Sequence, residues 1–464
     1  MTENGSNQHQ SHWRIPFLSK KQSKNGNSNG ANPPIRLPNL PTLPILGFNG
    51  RNHAPRYAHI IGWGMEVPSR VLTNRDLEAI VETNDEWIRT RTGIQERRIA
   101  DERETTAQLA LKAARKALSV ASILPTDIDL IIVATSTPEH IFPSTASQIQ
   151  DWLGANKAGA FDLSAACSGF VYALDMAAAK IRAGDIRYAL VIGAETMSRV
   201  LDWTDRGTCI LFGDGAGAVV LAAKEEMGGV LSSTLRSDGS GWDLLGLPTL
   251  GSRDTYLMDY KYRDKSDDEQ PRLMHHLHMN GRAVFRFATR VITDSIREAV
   301  KMAGLEIEQV DLIVPHQANQ RIIETAAKSL KMPLEKWYSN VHKYGNTSAA
   351  SIPIALCEAI EEGRIQEGQN IVFVGFGGGL TWATMVLRWE TSLEQQPHKI
   401  MDVRQQAVYW YAIQRRAIVR RWRRIFNRLA GSPTPNATMR QLRNKLREQE
   451  TTKQTSEEKM ESWE

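Results

Sequence analysis

The chain has 464 residues, of which 41% are hydrophobic, enough for one large fold or for two to three domains of ordinary size. Its three cysteines form no CxxC pair, which argues against a disulfide framework and fits a reducing cytoplasm. The polar N-terminus lacks the apolar core of a signal peptide, and no run of ~18 apolar residues predicts a membrane span.

Charge is distributed unevenly along the chain. The net charge is +5, but residues 1–56 carry +6 and residues 398–464 carry +8, which leaves −9 for residues 57–397. The pattern predicts an acidic body with two basic ends. The high overall pI therefore does not indicate nucleic-acid binding by the body, no specific nucleic-acid partner is predicted, and the basic charge is a property of the ends.

The first segment, residues 1–56, is rich in Asn, Gly, Ser, Gln and Pro. Such a composition buries too little apolar surface to offset the entropy lost on ordering the chain. We therefore predict a disordered extension that acts as a tether.

The body contains an internal repeat. An amphipathic pattern that ends near Leu118 leads into the apolar run 127–133, and a second one that ends near Val300 leads into the run 309–314. Each pair is typical of a helix followed by a strand that is buried on both faces.

The two copies of this repeat divide the body. Asp129 and Asp311 lie 182 residues apart, about half its length. We therefore predict an α/β fold with duplicated halves at residues 57–225 and 226–391. Residues 252–272 are highly charged without an apolar period, and they are predicted to form a surface insertion.

Cys167 follows an apolar run and precedes a helical pattern, with Ala, Ser and Gly around it. A thiol at a helix N-terminus lies at the positive end of the helix dipole, which favours the thiolate. An isolated cysteine among small residues is also common as a buried, inert residue, and we interpret Cys209 and Cys357 in that way.

Two further polar residues stand at similar transitions. His316 ends the second apolar strand, which places its ring at a carboxyl edge where sites of α/β proteins form. Asn346 precedes Thr-Ser-Ala at a predicted helix start. Either residue alone would more often be a satisfied structural group or a helix cap.

These segments carry a family resemblance over about residues 57–391. The chain resembles β-ketoacyl-[acyl carrier protein] synthase III, a condensing enzyme with the thiolase fold, in the segments around Cys167, His316 and Asn346. The likeness extends to further motifs: Asp85–Ile88, Arg91–Ile94, Asp205–Thr208, Phe212–Gly217 and Phe376–Gly379. The resemblance implies a five-layered α-β-α-β-α fold with extensions at both ends.

The resemblance also implies the chemistry. Cys167 would take an acyl group from acyl-CoA, and His316 and Asn346 would stabilise the enolate left when a malonyl thioester loses CO2. Two neutral donors suit this step because they do not protonate the attacking carbon. The backbone N–H groups of Cys167 and Gly378 would form the oxyanion hole, and no cofactor is implied.

Further roles also come from the resemblance. Seven residues match contacts to CoA and its pantetheine arm: Trp87, Arg206, Arg91, Thr83, Asn280, Gly281 and Asn319. Arg286, Arg321 and Lys328 are candidates for docking the acidic acyl carrier protein, although a solvated surface charge is equally consistent with each. Phe142 corresponds to a residue that closes the acyl pocket across a homodimer interface. Trp203 departs from the family pattern near the CoA mouth, which puts the usual primer preference in doubt.

No metal site is predicted. His275, His276 and His278 are close in sequence, but no further residue completes a set with metal-ligand spacing.

The C-terminal segment, residues 392–464, is read as a linker, a basic amphipathic helix over about residues 403–429, and a polar tail. Plotted at 100° per residue, Ala407, Tyr411, Ile418, Trp422, Ile425, Phe426 and Leu429 form one face, and several arginines form the other. The helix could lie on an anionic membrane surface, bind another protein, or pack on the acidic body. The first two are favoured over the third.

The sequence therefore predicts a cytoplasmic homodimeric enzyme, peripheral to a membrane if the helix attaches it there. It would condense an acyl-CoA with malonyl-[acyl carrier protein] and start fatty acid synthesis. One alternative is an acyl-CoA-dependent acyltransferase or specialised-metabolite synthase of the same superfamily. Another is a membrane- or complex-associated scaffold with an idle site.

Overall fold

A computed structural model describes residues 56–248, 276–391 and 399–429. The tether predicted over residues 1–56 (apart from Arg56), the insertion at residues 252–272 and the polar tail lie outside these ranges. Two central sheets and the helices around them make up the described body.

The first sheet has five strands in the order β1-β7-β6-β4-β5. Strands β4 and β5 are parallel, as are β4 and β6, whereas β7 is antiparallel to both β1 and β6. The strands are β1 (Tyr57–Glu66), β4 (Leu130–Ala134), β5 (Gly159–Leu163), β6 (Tyr188–Thr196) and β7 (Asp214–Lys224).

The second sheet has four strands in the order β11-β12-β13-β8. Strands β11 and β12 are parallel, and the other two pairs are antiparallel. The strands are β8 (Gly229–Ser237), β11 (Leu312–Pro315), β12 (Asn370–Gly377) and β13 (Thr381–Arg388). Every strand of the first sheet precedes residue 225, and every strand of the second sheet follows residue 228.

Helices separate and cover the two sheets. Between them lie α5 (Gly169–Arg182) and α9 (Ser351–Glu361), which are apolar nearly all round because both faces are buried. The first sheet is covered outside by α3 (Thr106–Ala121) and α4 (Thr145–Leu153), and the second by α6 (Gly281–Met302) and α7 (Gln320–Leu330). These are the five layers of a thiolase-like fold.

Smaller elements complete the described body. They are β2 (Val71–Thr73), α1 (Asn74–Glu78), α2 (Asp85–Thr92), β3 (Glu96–Arg98), β9 (Leu245–Gly246), β10 (His278–Met279) and α8 (Val341–Tyr344). Among them, α2, β9 and β10 line the cavity described below. Helix α2 begins after Asn84, whose side chain accepts a hydrogen bond from the Trp87 N–H, and ends at Gly93 with φ 79°. These caps position α2 at the cavity mouth.

The internal repeat recurs in the hydrogen bonding. An Asp129 carboxylate oxygen accepts hydrogen bonds from the backbone N–H groups of Arg187 and Tyr188 at the start of β6. An Asp311 carboxylate oxygen accepts one from the N–H of Asn370 at the start of β12. Both aspartates stand before a strand and fix the neighbouring parallel strand against it.

The C-terminal helix is α10 (Lys399–Leu429). It packs on α3 and α4 through a face that the sequence reading did not single out, with Gln405, Tyr409 and Ala412 buried. The Gln405 amide donates to the backbone oxygens of Leu118 and Ile123, at 2.9 and 2.7 Å, which closes the end of α3. Packing on the body, the least favoured of the three alternatives, therefore describes the first half of α10.

Tyr411 and Trp422, placed on the apolar face by the sequence, are exposed instead of buried against the body. Among the described residues, no helix combines the length and the apolarity needed to cross a bilayer.

Candidate active site

A cavity of about 200 Å³ brings together the three reactive side chains singled out by the sequence. Cys167, His316 and Asn346 line its inner part, although they come from different halves of the body. Trp87, Arg91, Arg206, Gly281 and Asn319 line the same cavity, whose remaining walls are largely apolar. A long, mainly apolar channel with a few polar groups at its end suits a flexible thioester arm.

Cys167 lies in a 3-10 turn, Ala166–Ser168, that leads directly into α5. Ala166 has φ 46°, a left-handed conformation that turns the chain sharply at the end of β5 and presents the next residue to the cavity. Burial raises the pKa of the Cys167 thiol to about 12, opposing the expected effect of the helix dipole. The thiol therefore keeps its proton until it reacts.

The thiol is part of a buried chain of hydrogen bonds. Cys167 Sγ donates to Ser348 Oγ at 3.5 Å, and Ser348 Oγ donates to Glu195 Oε1 at 3.0 Å. Thr137 Oγ1 and the Ser136 N–H also donate to the Glu195 carboxylate. Burial raises the pKa of Glu195, and these donors lower it.

His316 follows β11, and its backbone N–H donates to the oxygen of Val374 on β12. Its ring packs edge-on against Phe376, with the ring centroids 5.0 Å apart. Burial lowers the pKa of His316 to about 3, so the imidazole is neutral at physiological pH. Nδ1 is enclosed without a hydrogen-bond partner among the described atoms, which leaves Nε2 as the ring nitrogen available to a substrate.

The Asn346 side chain has one defined orientation. Its Oδ1 accepts a hydrogen bond from the backbone N–H of Ser348 at 2.8 Å, so the amide NH2 is the end that remains free to donate. The Asn346 backbone is held between Leu211 and Gly213 by two further hydrogen bonds. The cavity thus receives an amide donor that is fixed at its other end.

The glycine at the end of β12, Gly377, allows close approach to the Cys167 backbone. A Cβ at Gly377 would lie 2.7 Å from the Cys167 nitrogen, so a side chain there would block that N–H. Gly377 lines the cavity with Cys167, whereas Gly378 lines a second pocket on the other side of the turn. The predicted oxyanion partner, Gly378, therefore follows the glycine that approaches Cys167 but is not among the described residues of the cavity wall.

Aromatic and cationic side chains stack at the cavity mouth. The Arg91 and Arg206 guanidinium carbons lie 4.6 and 5.3 Å from the centroid of a Trp87 ring. Arg206 also donates to the backbone oxygen of Glu82 at 3.1 Å. A flat ligand that enters between Trp87 and Arg206 has to displace the guanidinium from the indole, which a heteroaromatic base can do.

Of three other predicted contacts, two have local structural roles. The Asn280 side chain caps α6 by accepting from the Ala283 N–H, so the structure does not place it on the cavity wall. The Asn319 amide, which does line the cavity, caps α7 and donates to the backbone oxygen of Arg91. Thr83 precedes the α2 cap and is also absent from the wall, but its buried hydroxyl has no partner among the described atoms.

Trp203 is not among the described residues that line the cavity. Its indole N–H donates to the backbone oxygen of Ser198 at 3.2 Å, and its rings pack against two small hydrophobic clusters. One of these clusters also contacts Leu245 and Met279, which do line the cavity. The doubt that Trp203 raises about the usual primer preference stays a prediction.

The three docking candidates are exposed on α6 and α7. The Arg321 guanidinium lies 5.8 Å from the ring of Phe285, which lines the cavity, and Arg286 is the next residue along α6. Lys328 lies seven residues after Arg321 and hence on the same face of α7. Arg282 is also exposed at the start of α6, next to Gly281, but it was not among the docking candidates predicted from the sequence.

Phe142 is 85% exposed and projects from the loop before α4. A second pocket, lined by residues 135–141, 162–166 and 245–247, lies beside this loop and reaches Gly378, but Phe142 is not part of its wall. Within the described residues, no group of three or more His, Cys, Asp or Glu side chains could hold a metal ion. His275 lies outside the described residues.

The sequence reading also missed Ser348 and Glu195. Glu195 is fully buried on β6, and a lone carboxylate inside the apolar run of that strand was the available signal. Ser348 has φ 49° and starts the 3-10 turn before α9, but its sequence resembles an ordinary helix start.

Comparison with known proteins assigns the family. The models for 3-oxoacyl-[acyl-carrier-protein] synthase III and for its C-terminal part match residues 161–239 and 300–389. The β-ketoacyl-[acyl-carrier-protein] synthase III of Bacillus pumilus (strain SAFR-032) is 51% identical over 332 residues, covering 72% of this chain and 99% of the relative.

Solved structures agree with this match. The 3-oxoacyl-[acyl-carrier-protein] synthase III of Aquifex aeolicus VF5 has a TM-score of 0.65 and 48% identity, covering 72% of this chain and all of the other. The priming β-ketosynthase of the R1128 polyketide biosynthetic pathway has a TM-score of 0.67 and 36% identity, covering 73% of this chain and 98% of the other. The chain belongs to the β-ketoacyl-[acyl-carrier-protein] synthase III family.

Proposed function

We propose that the protein condenses an acyl-CoA with malonyl-[acyl carrier protein], giving 3-oxoacyl-[acyl carrier protein], CoA and CO2, as the first condensation of fatty acid synthesis. One observation carries the proposal above the others: a buried thiol, a neutral imidazole and an anchored amide line one cavity. The reaction needs no cofactor beyond its thioester substrates.

In the first step, Cys167 Sγ attacks the carbonyl carbon of the acyl-CoA. The new Sγ–C bond forms, the C–S bond to CoA breaks, and the thiol proton leaves with the CoA sulfur. Backbone N–H groups of Cys167 and Gly378 stabilise the tetrahedral oxyanion. The contact with Ser348 lowers the pKa of the buried thiol and thereby assists the attack.

In the second step, the malonyl thioester enters and loses its carboxylate as CO2. Its thioester oxygen becomes an enolate oxygen, which accepts hydrogen bonds from His316 Nε2–H and the Asn346 amide. The carbanion attacks the acyl carbon and expels the Cys167 thiolate, which then takes a proton from solvent. Neutral donors matter here because an imidazolium would quench the carbanion.

Substrate delivery uses the mouth of the cavity. Trp87 and Arg206 hold the CoA adenine, with Arg91 beside them. Gly281 and Asn319 contribute contacts to the CoA and pantetheine from the cavity wall, and Thr83 and Asn280 contribute contacts from outside it. The exposed cations Arg286, Arg321 and Lys328 dock the acidic carrier protein.

The enzyme acts as a cytoplasmic homodimer. Phe142 is exposed and lies outside the second pocket of its own chain, which supports its insertion into that pocket of a partner. Changing Phe142 to Ala should alter the preferred acyl length while a dimer persists by light scattering. An unchanged primer profile would contradict this role.

The test of the proposal is intact-protein mass spectrometry after incubation with short, long and branched acyl-CoAs, followed by malonyl-[acyl carrier protein]. We expect an acyl adduct that maps to Cys167 and is discharged as a 3-oxoacyl product. The control is Cys357→Ala, which removes another buried cysteine and should leave the adduct intact. No adduct with any primer would refute the proposal and favour a scaffold with an idle site.

A second candidate is a condensing or acyl-transferring enzyme of specialised metabolism, supported by the likeness to the R1128 priming β-ketosynthase. In that case Cys167 is acylated, but the adduct is discharged by a different acceptor. A panel that includes a polyketide-type carrier protein separates the two candidates by which carrier removes the acyl group.

A further inference from the structure

Helix α10 has two opposite faces. The face against the body consists of Gln405, Tyr409, Ala412 and Arg416, spaced by three or four residues. Arg115 stacks on the Tyr409 ring at 4.6 Å, and Arg416 lies 5.8 Å from the Trp152 ring on α4. The helix is therefore seated on the body in a defined rotation.

This rotation turns the apolar stripe outward. Tyr411 and Ile418 are 59% and 56% exposed, and they stand about 130° and about 150° from the centre of the packing face at 100° per residue. Towards the C-terminus, Trp422 and Phe426 are 67% and 70% exposed. All seven residues from Arg420 to Phe426 are exposed, so this end of the helix makes no extensive contact with the described body.

The same end is strongly basic. Residues 403–429 contain eight arginines and no Asp or Glu. Arg415 and Arg416 pair with Asp151 of the body, at 3.7 and 3.9 Å. Further along, no described carboxylate pairs with Arg420, Arg421 or Arg424.

We propose that the outward face of α10 binds the surface of an anionic phospholipid bilayer, with the helix axis in the plane of the interface. Trp422, Phe426 and Ile418 enter the boundary between head groups and acyl chains, and the unpaired arginines contact the lipid phosphates. A bilayer surface offers an apolar layer and an anionic layer together, which is what this helix presents on its free surface.

Other polyanions and partners match less of the surface. A nucleic acid would satisfy the arginines but would leave the aliphatic Ile418 and Ile425 in water. A second copy of the chain could cover this face only with a surface that carries acidic and apolar side chains side by side along the whole length of the helix. The inference does not depend on the proposed condensation, because α10 contributes nothing to the cavity wall.

The experiment is flotation of the full-length protein with two kinds of vesicle, pure phosphatidylcholine and phosphatidylcholine with about one third phosphatidylglycerol. We expect binding to the anionic vesicles that weakens as salt is raised. The double variant Trp422→Ser/Phe426→Ser should lower the partition coefficient about tenfold or more.

The charge is tested separately. The triple variant Arg420→Gln/Arg421→Gln/Arg424→Gln should also lower anionic-vesicle binding at least about tenfold. All of these residues are exposed, so circular dichroism and melting should be unchanged.

The matched control is Arg70→Gln/Arg75→Gln/Arg103→Gln, which removes three exposed arginines from the body. This control should retain full vesicle binding.

Three results would overturn the proposal. The first is that the protein does not bind anionic vesicles. The second is that the body control loses as much vesicle binding as the helix variants. The third is that the helix variants change the oligomeric size of a protein that does not bind vesicles. The last result would assign the stripe to a second copy. Condensation measured in solution without vesicles reports on the proposed function independently, since it should be the same in all of these variants.

Discussion

The first sheet has the order β1-β7-β6-β4-β5, and the second has the order β8-β13-β12-β11. Strands β1, β7, β6 and β4 of the first sheet therefore correspond, in this order, to β8, β13, β12 and β11 of the second. Strands β4 and β11 begin 182 residues apart, as do β6 and β12. The 3-10 turns before α5 and α9 are offset by the same number, and their first residues, Ala166 and Ser348, have φ 46° and 49°. The duplication thus extends to an unusual backbone conformation.

The halves differ at one edge strand and in their side chains. In the second half, α8 occupies the chain position of β5. The offset of 182 residues pairs each reactive residue with an inert one: Cys167 with Ala349, His316 with Ala134, Asn346 with Ser164, Ser348 with Ala166 and Glu195 with Gly377. Duplication supplied two equivalent turns, and the chemistry is divided between them, so neither half contains a complete site.

The largest effect is expected when Cys167 in the turn of the first half is replaced by alanine, the residue at the equivalent position of the second half. Cys167→Ala removes the acyl acceptor and should reduce condensation by about 10⁴-fold or to background, since no other cysteine is among the described residues that line the cavity. The rate of 3-oxoacyl product formation measures this. Retention of more than a few per cent of the activity would show that the acyl group is not held on Cys167.

His316→Ala copies the residue at the equivalent position of the first half. Loss of one enolate donor should slow condensation by about 10²–10³-fold, while Cys167 still becomes acylated. The two steps are separated by measuring adduct formation by mass and CO2 release from labelled malonyl thioester. CO2 release at the wild-type rate would remove His316 from decarboxylation.

Asn346→Ser copies Ser164 and should cost about 10²-fold in condensation, somewhat less than the histidine change because a hydroxyl can still donate. The same pair of assays applies, and acylation should again persist. A loss confined to the acylation step would contradict the assignment of the amide to the enolate.

Ser348→Ala copies Ala166 and tests the hydrogen-bond chain to Glu195. The pKa of Cys167 should rise further because Ser348 lowers it, so alkylation by iodoacetamide at fixed pH should slow by about tenfold. The exposed Ser240→Ala serves as the control. An unchanged alkylation rate would show that Ser348 does not act on the thiol.

The smallest effect concerns stability at acidic pH. The unfolded chain binds a proton on His316 below about pH 6.5, whereas burial keeps the folded pKa at about 3. Stability should therefore fall as pH is lowered through this window. Between pH 7 and pH 5, wild type should lose about 2 kcal/mol more than His316→Gln in urea unfolding. Equal losses would show that His316 is not buried as a neutral group.

Much of the fold could be predicted because the spacing of apolar residues along the chain indicates which segments form helices and which form buried strands. The pairing of amphipathic helix with apolar strand, repeated at Asp129 and Asp311, indicated the duplicated α/β layers, and the structure has two sheets with helices between and outside them. The motifs around Cys167, His316 and Asn346 predicted the family. The orientation of α10 was not predictable, because its buried face uses the polar Gln405 and the small Ala412, which hydropathy does not single out.

The sequence by itself determined the family, the alternation of helices and strands, and the types of reactive group, since these depend on composition and order along the chain. Tertiary structure alone decided that a thiol and an imidazole from different halves line one cavity, and that Ser348 and Glu195 extend from the thiol. These relations join residues more than a hundred positions apart. Local sequence does not encode such distances, because they arise when two sheets pack on the same pair of helices.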